Sequence, residues 1–218
     1  MLRLFLTKAD EWLSHETLSE RMTALPENIR TDILSFKRKQ DATLSFLGKQ
    51  LVSHGFKELG LDFNWKDVVF NDHGRPCLNH PEYDFNISHS GEMVAVMIGT
   101  GKVGVDIEKH RNVDLSLFNR QFSEKEWLTI HQSAHPQKRF FELWSIKEAA
   151  IKADGRGVSI LSKTQTQSDH HLSIEDTIWH YLCPPAGEKY ALCVVSNTPI
   201  RVEDVEFSRV SSDDLYLL

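Results

Sequence analysis

Two segments of the sequence constrain the fold more strongly than any other part of the chain. The first, Val103–Glu108, alternates apolar residues with a glycine and two acids. This period of two predicts a strand that carries Asp106 and Glu108 on one face and apolar side chains on the other. The second, Trp144–Lys152, is rich in Ala, Lys and Glu, which predicts a helix that ends before Gly155.

The two segments together predict a group of acids. Glu148 and Lys152 are four residues apart, so they share one face of the predicted helix. If this helix crosses the strand close to Gly104, Glu148 joins Asp106 and Glu108 in a group of three carboxylates with a lysine beside them. Such a group suits Mg²⁺ held partly by protein oxygens and partly by phosphate, with Glu148 also available as a general base. Taken separately, the segments are explained more simply by solvated acids on a surface strand and an ordinary Glu–Lys pair.

The composition limits the class of protein. The chain has 218 residues, 40% hydrophobic and 26% charged, which is typical of a globular protein with one large domain or two small ones. The formal charge of −6 argues against a dedicated nucleic-acid-binding protein, which usually has a basic face. The apolar start, Met1–Thr7, is too short for a signal peptide, and no run approaches the ~20 residues that span a bilayer. We therefore expect a cytoplasmic protein with no nucleic acid and no membrane as partner.

The cysteines indicate no disulfide framework. Cys77, Cys183 and Cys193 are odd in number and widely spaced, without the spacing of a metal-binding motif. We expect free thiols in a reducing compartment, each serving mainly as a small packing residue.

Hydrophobic periodicity predicts two long helices. One covers residues 37–56, where apolar residues recur at intervals of three and four, and the other covers residues 137–153. A further helix should begin after Ser123, because Glu126 stands three residues later in the capping-box position.

A weak internal similarity indicates two related halves. Gly91–Ile98 and Gly187–Val194 both start with Gly-Glu and carry an alanine inside an apolar run. Two α+β halves that meet near Gly101 would explain the match, although chance explains it almost as well. The nearly continuous apolar run Met93–Ile98 predicts a buried strand, and the turn Gly99–Gly101 predicts a hairpin that pairs it with the Asp106 strand.

Several basic or hydroxyl side chains are candidates for anion binding. Lys37, Lys39 and Lys49 make the first long helix basic, as expected of a solvated helix face or, alternatively, of an anion site. Ser88–Gly91 reads Ser-His-Ser-Gly and should form a loop before a buried strand, either an ordinary hydroxyl turn or a cradle for phosphate oxygens. Arg75, between a glycine and a proline, could serve as a phosphate-binding fork or as a surface arginine.

Five motifs in the same order resemble those of the 4′-phosphopantetheinyl transferase superfamily, and in particular the longer surfactin-synthetase-activating type and its bacterial holo-acyl-carrier-protein synthase relatives. The similarity covers about Gly74 to Gly157 well and is fainter around Phe36 to Phe56. Each motif is weak by itself, whereas five in register are specific. The motifs are Gly74–Pro76, Phe85–Ser90, Val103–Glu108, Phe122–Glu126 and Trp144–Lys152.

The resemblance implies an enzyme, a holo-[acyl-carrier-protein] synthase. Such enzymes transfer 4′-phosphopantetheine from coenzyme A to a serine hydroxyl of an acyl or peptidyl carrier protein and release adenosine 3′,5′-bisphosphate. By this resemblance Asp106, Glu108 and Glu148 are the Mg²⁺ ligands. Glu148 also takes the serine proton, and Lys152 lies near the diphosphate, where it steadies or protonates the leaving phosphate.

The resemblance also implies a set of coenzyme A contacts. Arg75, Ser88 and His89 match positions that bind its phosphates, with His89 at the 3′-phosphate. Lys147 and Lys152, which flank Glu148, are further expected contacts with coenzyme A.

The chain departs from the family at Leu44, where many relatives have an arginine. Lys37, Lys39 or Lys49 could then contact the phosphates on the adenosine side. For the carrier protein, which is an acidic helical bundle, the expected docking rim is the segment between Val113 and Ala134.

The expected architecture is α+β, with two pseudo-symmetric halves, residues 1–101 and 102–218. Each half has a small antiparallel sheet packed on a long helix, and the active site lies at their interface. The chain is expected to act as a monomer. Two other functions fit the acids less well: a metal-dependent nuclease, and an inactive module that binds coenzyme A or a carrier protein.

Overall fold

The structure, a computed structural model, describes residues 1–80, 82–167 and 170–216. Its helices are α1 His15–Arg21, α2 Glu27–Ser35, α3 Lys39–Glu58, α4 Glu124–His131, α5 Pro136–Asp154 and α6 Ser212–Tyr216. Its strands are β1 Leu2–Lys8, β2 Val68–Phe70, β3 Pro76–Leu78, β4 Tyr83–Ser90, β5 Met93–Thr100, β6 Val103–Lys109, β7 Thr164–Thr166, β8 His171–Ile174, β9 Thr177–Leu182, β10 Tyr190–Ser196 and β11 Val205–Arg209.

The two long helices form where the apolar periodicity predicts them. α3 buries Leu44, Leu47 and Leu51 against the first sheet, and α5 is the corresponding helix of the second half. α5 ends at Gly155, whose φ of 88° is in the left-handed region that favours glycine. The capping box predicted at the start of α4 is present.

The strands form two main sheets, one for each half. The first has the order β11-β1-β5-β4 and packs on α3, and the second has the order β6-β10-β9-β8-β7 and packs on α5. β2 and β3 form a separate two-stranded arm. The predicted α+β architecture with two related halves is therefore confirmed.

The predicted hairpin between β5 and β6 is wrong. β5 pairs with β4 and β1, whereas β6 pairs with β10 in the other sheet. The turn at Gly101, with φ of 77°, carries the chain from one sheet to the other. A glycine turn reverses the chain in either case, so its sequence did not distinguish the two outcomes. The Ser88–Gly91 segment is likewise not a loop, because its first three residues complete β4.

The end of the chain returns to the first half. β11 pairs in parallel with β1, and Leu215 of α6 is buried in the hydrophobic cluster beneath α3. The first structural half therefore contains residues beyond position 204 as well as residues 1–101, and the predicted division at 101/102 does not hold for this last segment. Its pairing spans almost the whole chain, and no local pattern predicts such a contact.

The two sheets meet through a row of side-chain hydrogen bonds that we call the side-chain ladder. Alternate backbone N–H groups of β6 donate to side-chain oxygens of β4, over distances of 3.0–3.2 Å. The four pairs are Val103 with Asp84, Val105 with Asn86, Ile107 with Ser88, and Lys109 with Ser90. The side chains of Val103, Val105 and Ile107 of β6 pack with residues of both sheets in a third apolar cluster. The halves are therefore joined by an apolar core and by the side-chain ladder.

A helix that crosses a bilayer must be long and predominantly apolar. None of those in the described ranges is long and apolar enough to pass through a membrane.

Candidate active site

A glycine in β6 sets the distance between this strand and α5. A methyl group at Gly104 would overlap the carbonyl oxygen of Ala149 and would stand 2.9 Å from the Cβ atom of Ala153. Only a residue without a side chain allows this approach. The side chains that leave the same face of β6 therefore lie directly beside those of α5.

Asp106 is at the centre of the polar group that results. It is 3% exposed, and its Oδ1 atom accepts hydrogen bonds from Lys152 Nζ at 2.6 Å and from Ser88 Oγ at 2.8 Å. Lys152 also donates to Ser88 Oγ at 2.8 Å. These contacts join α5, β4 and β6, so residues of both halves build one site.

Ser88 has no proton left for a ligand in this arrangement. Its hydroxyl donates to Asp106 and accepts from Lys152 and from the backbone N–H of Ile107. The structure therefore shows Ser88 as a residue that holds Asp106 and Lys152 in place.

The other two carboxylates are crowded and poorly hydrated. Burial, followed by the negative charge of Asp106, raises the pKa of Glu148 to about 7, although Lys152 opposes the shift. Burial and Asp106 also raise the pKa of Glu108, which accepts a hydrogen bond from Ser90 at 2.9 Å. A further positive charge at this place would relieve the repulsion among the three acids.

Asp106, Glu108 and Glu148 have the chemistry of ligands for a divalent cation. Asp106 Oδ2 is buried and accepts no hydrogen bond from the described part of the protein, and a buried acceptor without a partner is costly. The available donors are carboxylate oxygens, which hard cations prefer. Within the described ranges, no three acidic, imidazole or thiol side chains are already spaced to hold a metal ion. The donor set fits the cation chemically.

Lys147 does not lie at this site, and its predicted contact with coenzyme A is corrected. Its ammonium is buried, 2.8 Å from Glu126 Oε2 and 2.7 Å from the carbonyl oxygen of Gln121. One residue along a helix is a rotation of about 100°, so Lys147 points into the second half while Glu148 faces β6.

Arg75 is also corrected from a phosphate ligand to an internal clamp. It is 7% exposed, and its guanidinium pairs with Asp84 at 2.6 and 3.0 Å. It further donates to the carbonyl oxygens of Val103 and Lys152. Arg75 thus ties β4, β6 and the last turn of α5 together, and its donors are used within the protein.

The remaining basic candidates are His89, Lys49, Lys37 and Lys39. His89 is exposed on the face of β4 opposite to Ser88, where desolvation and then the positive charges of Lys152 and Lys49 lower the pKa of its imidazole. Lys49 is half-buried and donates to Ser45 Oγ at 3.0 Å. Lys37 and Lys39 are exposed at the start of α3, and no hydrogen bond places their ammonium groups at the carboxylates in the described residues.

Leu44 is 3% exposed and belongs to the hydrophobic cluster beneath α3. The position at which the family resemblance predicts an arginine is therefore a packing position in this chain. A charged side chain could not be accommodated there without a partner.

A cavity of about 300 Å³ opens between the halves beside Glu148. Glu148 and Lys152 line one side of it. The first half lines the opposite side with His73–Pro76, Asn86 and Ile87. Gly155 and Val158 of the second half also line the cavity. Its position makes it the natural place for a ligand that reaches the carboxylates.

Sequence reasoning missed the residues that support the site. Asp84, Asn86 and Ser90 belong to the side-chain ladder, and Glu126 binds Lys147 beneath α5. The polar residues at alternate positions of β4 were the available indication, because a buried strand with one polar face needs partners for it. No pattern in the sequence indicates the Glu126–Lys147 pair.

The chain was compared with known proteins. A sequence profile described as the 4′-phosphopantetheinyl transferase superfamily matches residues 102–195. A second profile, for the N-terminal region of 4′-phosphopantetheinyl transferase, matches residues 10–100. The two matches meet at the crossing between β5 and β6.

Curated relatives match over most of their length. A 4′-phosphopantetheinyl transferase of Bacillus subtilis is 29% identical over 217 residues, which covers 94% of this chain and 96% of the relative. The transferase Sfp of Bacillus subtilis strain 168 is 30% identical, with 88% and 92% covered. The transferase psf-1 of Bacillus pumilus is 31% identical over 76% of each chain. These matches, together with the site between the halves, show that the chain belongs to the 4′-phosphopantetheinyl transferase superfamily.

Proposed function

We propose that this phosphopantetheinyl transferase uses coenzyme A as donor, modifies a serine of an acyl or peptidyl carrier protein and releases adenosine 3′,5′-bisphosphate. The observation that carries the proposal is the group formed by Asp106, Glu108, Glu148 and Lys152 at the junction of the halves. Three acids and a lysine beside an open cavity suit a reaction in which a diphosphate is bound and a hydroxyl loses its proton.

Mg²⁺ is the proposed metal. Asp106, Glu108 and Glu148 would hold it, and Asp106 Oδ2, buried and without a hydrogen-bond partner among the described residues, has the free acceptor that such a ligand needs. When bound, the ion would neutralise charge on the diphosphate of coenzyme A.

Glu148 and Lys152 carry the proton transfers in this proposal. The carboxylate of Glu148 lines the cavity beside Lys152, a position from which it can act as a general base. Its carboxylate takes the proton of the carrier serine. Lys152, already held by Ser88 and Asp106, donates to the phosphate that leaves.

The nucleotide end of coenzyme A is proposed to occupy the cavity beside Glu148. His89 and Lys49 lie on the α3 side of β4, where they would bind the 3′-phosphate, and the exposed Lys37 and Lys39 remain proposed secondary contacts. Arg75 is assigned the clamp described above, since its donors are engaged. One chain supplies every one of these residues, so we propose that a monomer is sufficient.

The carrier protein is proposed to dock on the segment between Val113 and Ala134. Leu117 and Leu128 are 73% and 57% exposed there. Phe118, next to Leu117, contacts Trp144 with ring centroids 5.3 Å apart. Trp144 is one helical turn before Glu148 on α5, so this apolar surface lies close to the proposed base.

The test uses an apo carrier protein, coenzyme A and Mg²⁺, with mass spectrometry of the carrier. Transfer adds about 340 Da to it, and a chelator should abolish the gain until Mg²⁺ is restored. Glu148→Gln should abolish transfer, whereas the matched control Glu142→Gln, a half-buried glutamate of the same helix, should not.

Two results would contradict the proposal. Coenzyme A binding without transfer to any carrier protein of the host would identify an inactive binding module. A normal rate in Glu148→Gln would remove Glu148 from the chemistry.

A further inference from the structure

Two cysteines outside the proposed chemistry stand opposite each other on adjacent strands. β9 and β10 pair antiparallel with Val194 opposite Leu182. The next position of this register places Cys193 opposite Cys183, the residue that follows β9. Both are free thiols.

The register is compatible with a bond between them. Directly opposed residues of an antiparallel pair have Cα atoms roughly 4.5–5.5 Å apart. A disulfide requires a Cα separation of roughly 4.4–6.8 Å. The backbone therefore does not need to rearrange before the two sulfur atoms can join.

The pair continues a row that begins at the carboxylate site. On its other side, Cys193 lies opposite Asp106 in the β10–β6 register, and opposed residues project from the same face. Asp106, Cys193 and Cys183 thus follow one another across three adjacent strands.

The two thiols differ in access. Cys193 is fully buried in the hydrophobic cluster beneath α5, whereas Cys183 is exposed. A cavity of about 360 Å³ opens beside Cys183, and Lys138, Glu142 and Pro184 are among the residues that line it. A small oxidant can reach Cys183 there, and Cys193 is protected until Cys183 has reacted.

We propose that Cys183 and Cys193 form a reversible disulfide, a redox-modification site that the transfer reaction itself does not require. The oxidant is a low-molecular-weight disulfide such as oxidised glutathione. The Cys183 thiolate attacks one of its sulfur atoms and releases one glutathione thiol. The Cys193 thiolate then attacks the Cys183 sulfur and releases the second. Two protein thiols are oxidised, one glutathione disulfide is reduced, and the two protons end on the two glutathione thiols.

The test exposes the full chain to oxidised glutathione and measures intact mass and the cross-linked peptides. The reacted protein should be about 2 Da lighter than the reduced one, with Cys183 joined to Cys193 and Cys77 still open to alkylation. Added dithiothreitol should restore the starting mass.

Three variants identify the order of attack. Cys193→Ala should stop at a glutathione adduct on Cys183, about 305 Da heavier. Cys183→Ser should remain unmodified at Cys193, and Cys77→Ser should form the internal bond like the parent protein.

Other outcomes would overturn the proposal. These are a lasting glutathione adduct on Cys183 in the parent protein, a disulfide between two chains through Cys183, or a bond that involves Cys77. An unreacted Cys183 at an excess of oxidised glutathione would also overturn it.

Discussion

A methyl group at position 104 tests whether the closeness of α5 to β6 determines activity. In Gly104→Ala the new Cβ atom would stand 2.9 Å from the Cβ atom of Ala153 and would overlap the carbonyl of Ala149. Carbon atoms pack at roughly 3.5–4.0 Å, so α5 must move away by at least about 0.6 Å. Overpacking of this kind costs about 1–3 kcal/mol, equivalent to a fall of roughly 2–12 °C in the unfolding midpoint.

The effect on transfer should exceed the effect on stability. The shift of α5 carries Glu148 and Lys152 away from Asp106, and a misplacement near 1 Å can reduce a rate by about 100-fold. We expect a loss of kcat of that order in the carrier mass assay, for a variant that is still folded at the assay temperature by circular dichroism.

Gly55→Ala is the matched control. The same change there places a Cβ atom 2.6 Å from Ile98 Cδ1 and 2.8 Å from Phe5 Cε2, within the first half and away from the acids. It should lower the unfolding midpoint and leave kcat unchanged. A folded Gly104→Ala with normal kcat would refute the reasoning, and equal losses of kcat in both variants would attribute them to general destabilisation.

Three further predictions concern the residues around the site. Arg75→Met should lower the free energy of unfolding by about 3–5 kcal/mol in urea titrations, because it leaves the buried carboxylate of Asp84 without its partner. An unchanged free energy of unfolding with a raised KM for coenzyme A would instead restore Arg75 as a ligand. Leu44→Ala should cost about 2–5 kcal/mol with no change in that KM, as expected of a packing residue; a changed KM at unchanged stability would contradict this assignment. Hydrogen bonding to Lys109 holds the pKa of Glu92 at about 2, below its usual 4.5, so its contribution to stability is present above pH 4.5 and is lost as the pH falls towards 2. Acid unfolding of Glu92→Gln should lack this component, and identical acid titrations of the two proteins would exclude it.

The sequence predicted the helices well because their information is local. The apolar repeat of residues 37–56 and the glycine at 155 determine where α3 and α5 form, and the Ser123–Glu126 capping box lies within a single turn. Partners distant in the chain were not predictable in this way. The pairing of β1 with β11 and the crossing at Gly101 depend on which edges the folded sheets leave free.

The same distinction applies to the site. Period-two spacing in β6 and four-residue spacing in α5 place the acids on defined faces, whereas their meeting depends on the helix crossing the strand. The structure places Lys152 on Asp106. For Lys147 and Arg75 the positive charge suggested a ligand contact. Their burial against Glu126 and Asp84 depends on partners that only the folded chain brings near.

The side-chain ladder has a consequence for how the two halves can change. In an ordinary sheet the hydrogen bonds between strands come from the backbone, so substitutions other than proline leave them in place. Between β4 and β6 each bond depends on the identity of a single residue, and any one can be deleted or restored by a point mutation. The spacing of the two halves is therefore a property that selection or design can adjust one residue at a time. Because Ser88 belongs both to this row and to the carboxylate group, such an adjustment reaches Asp106 directly.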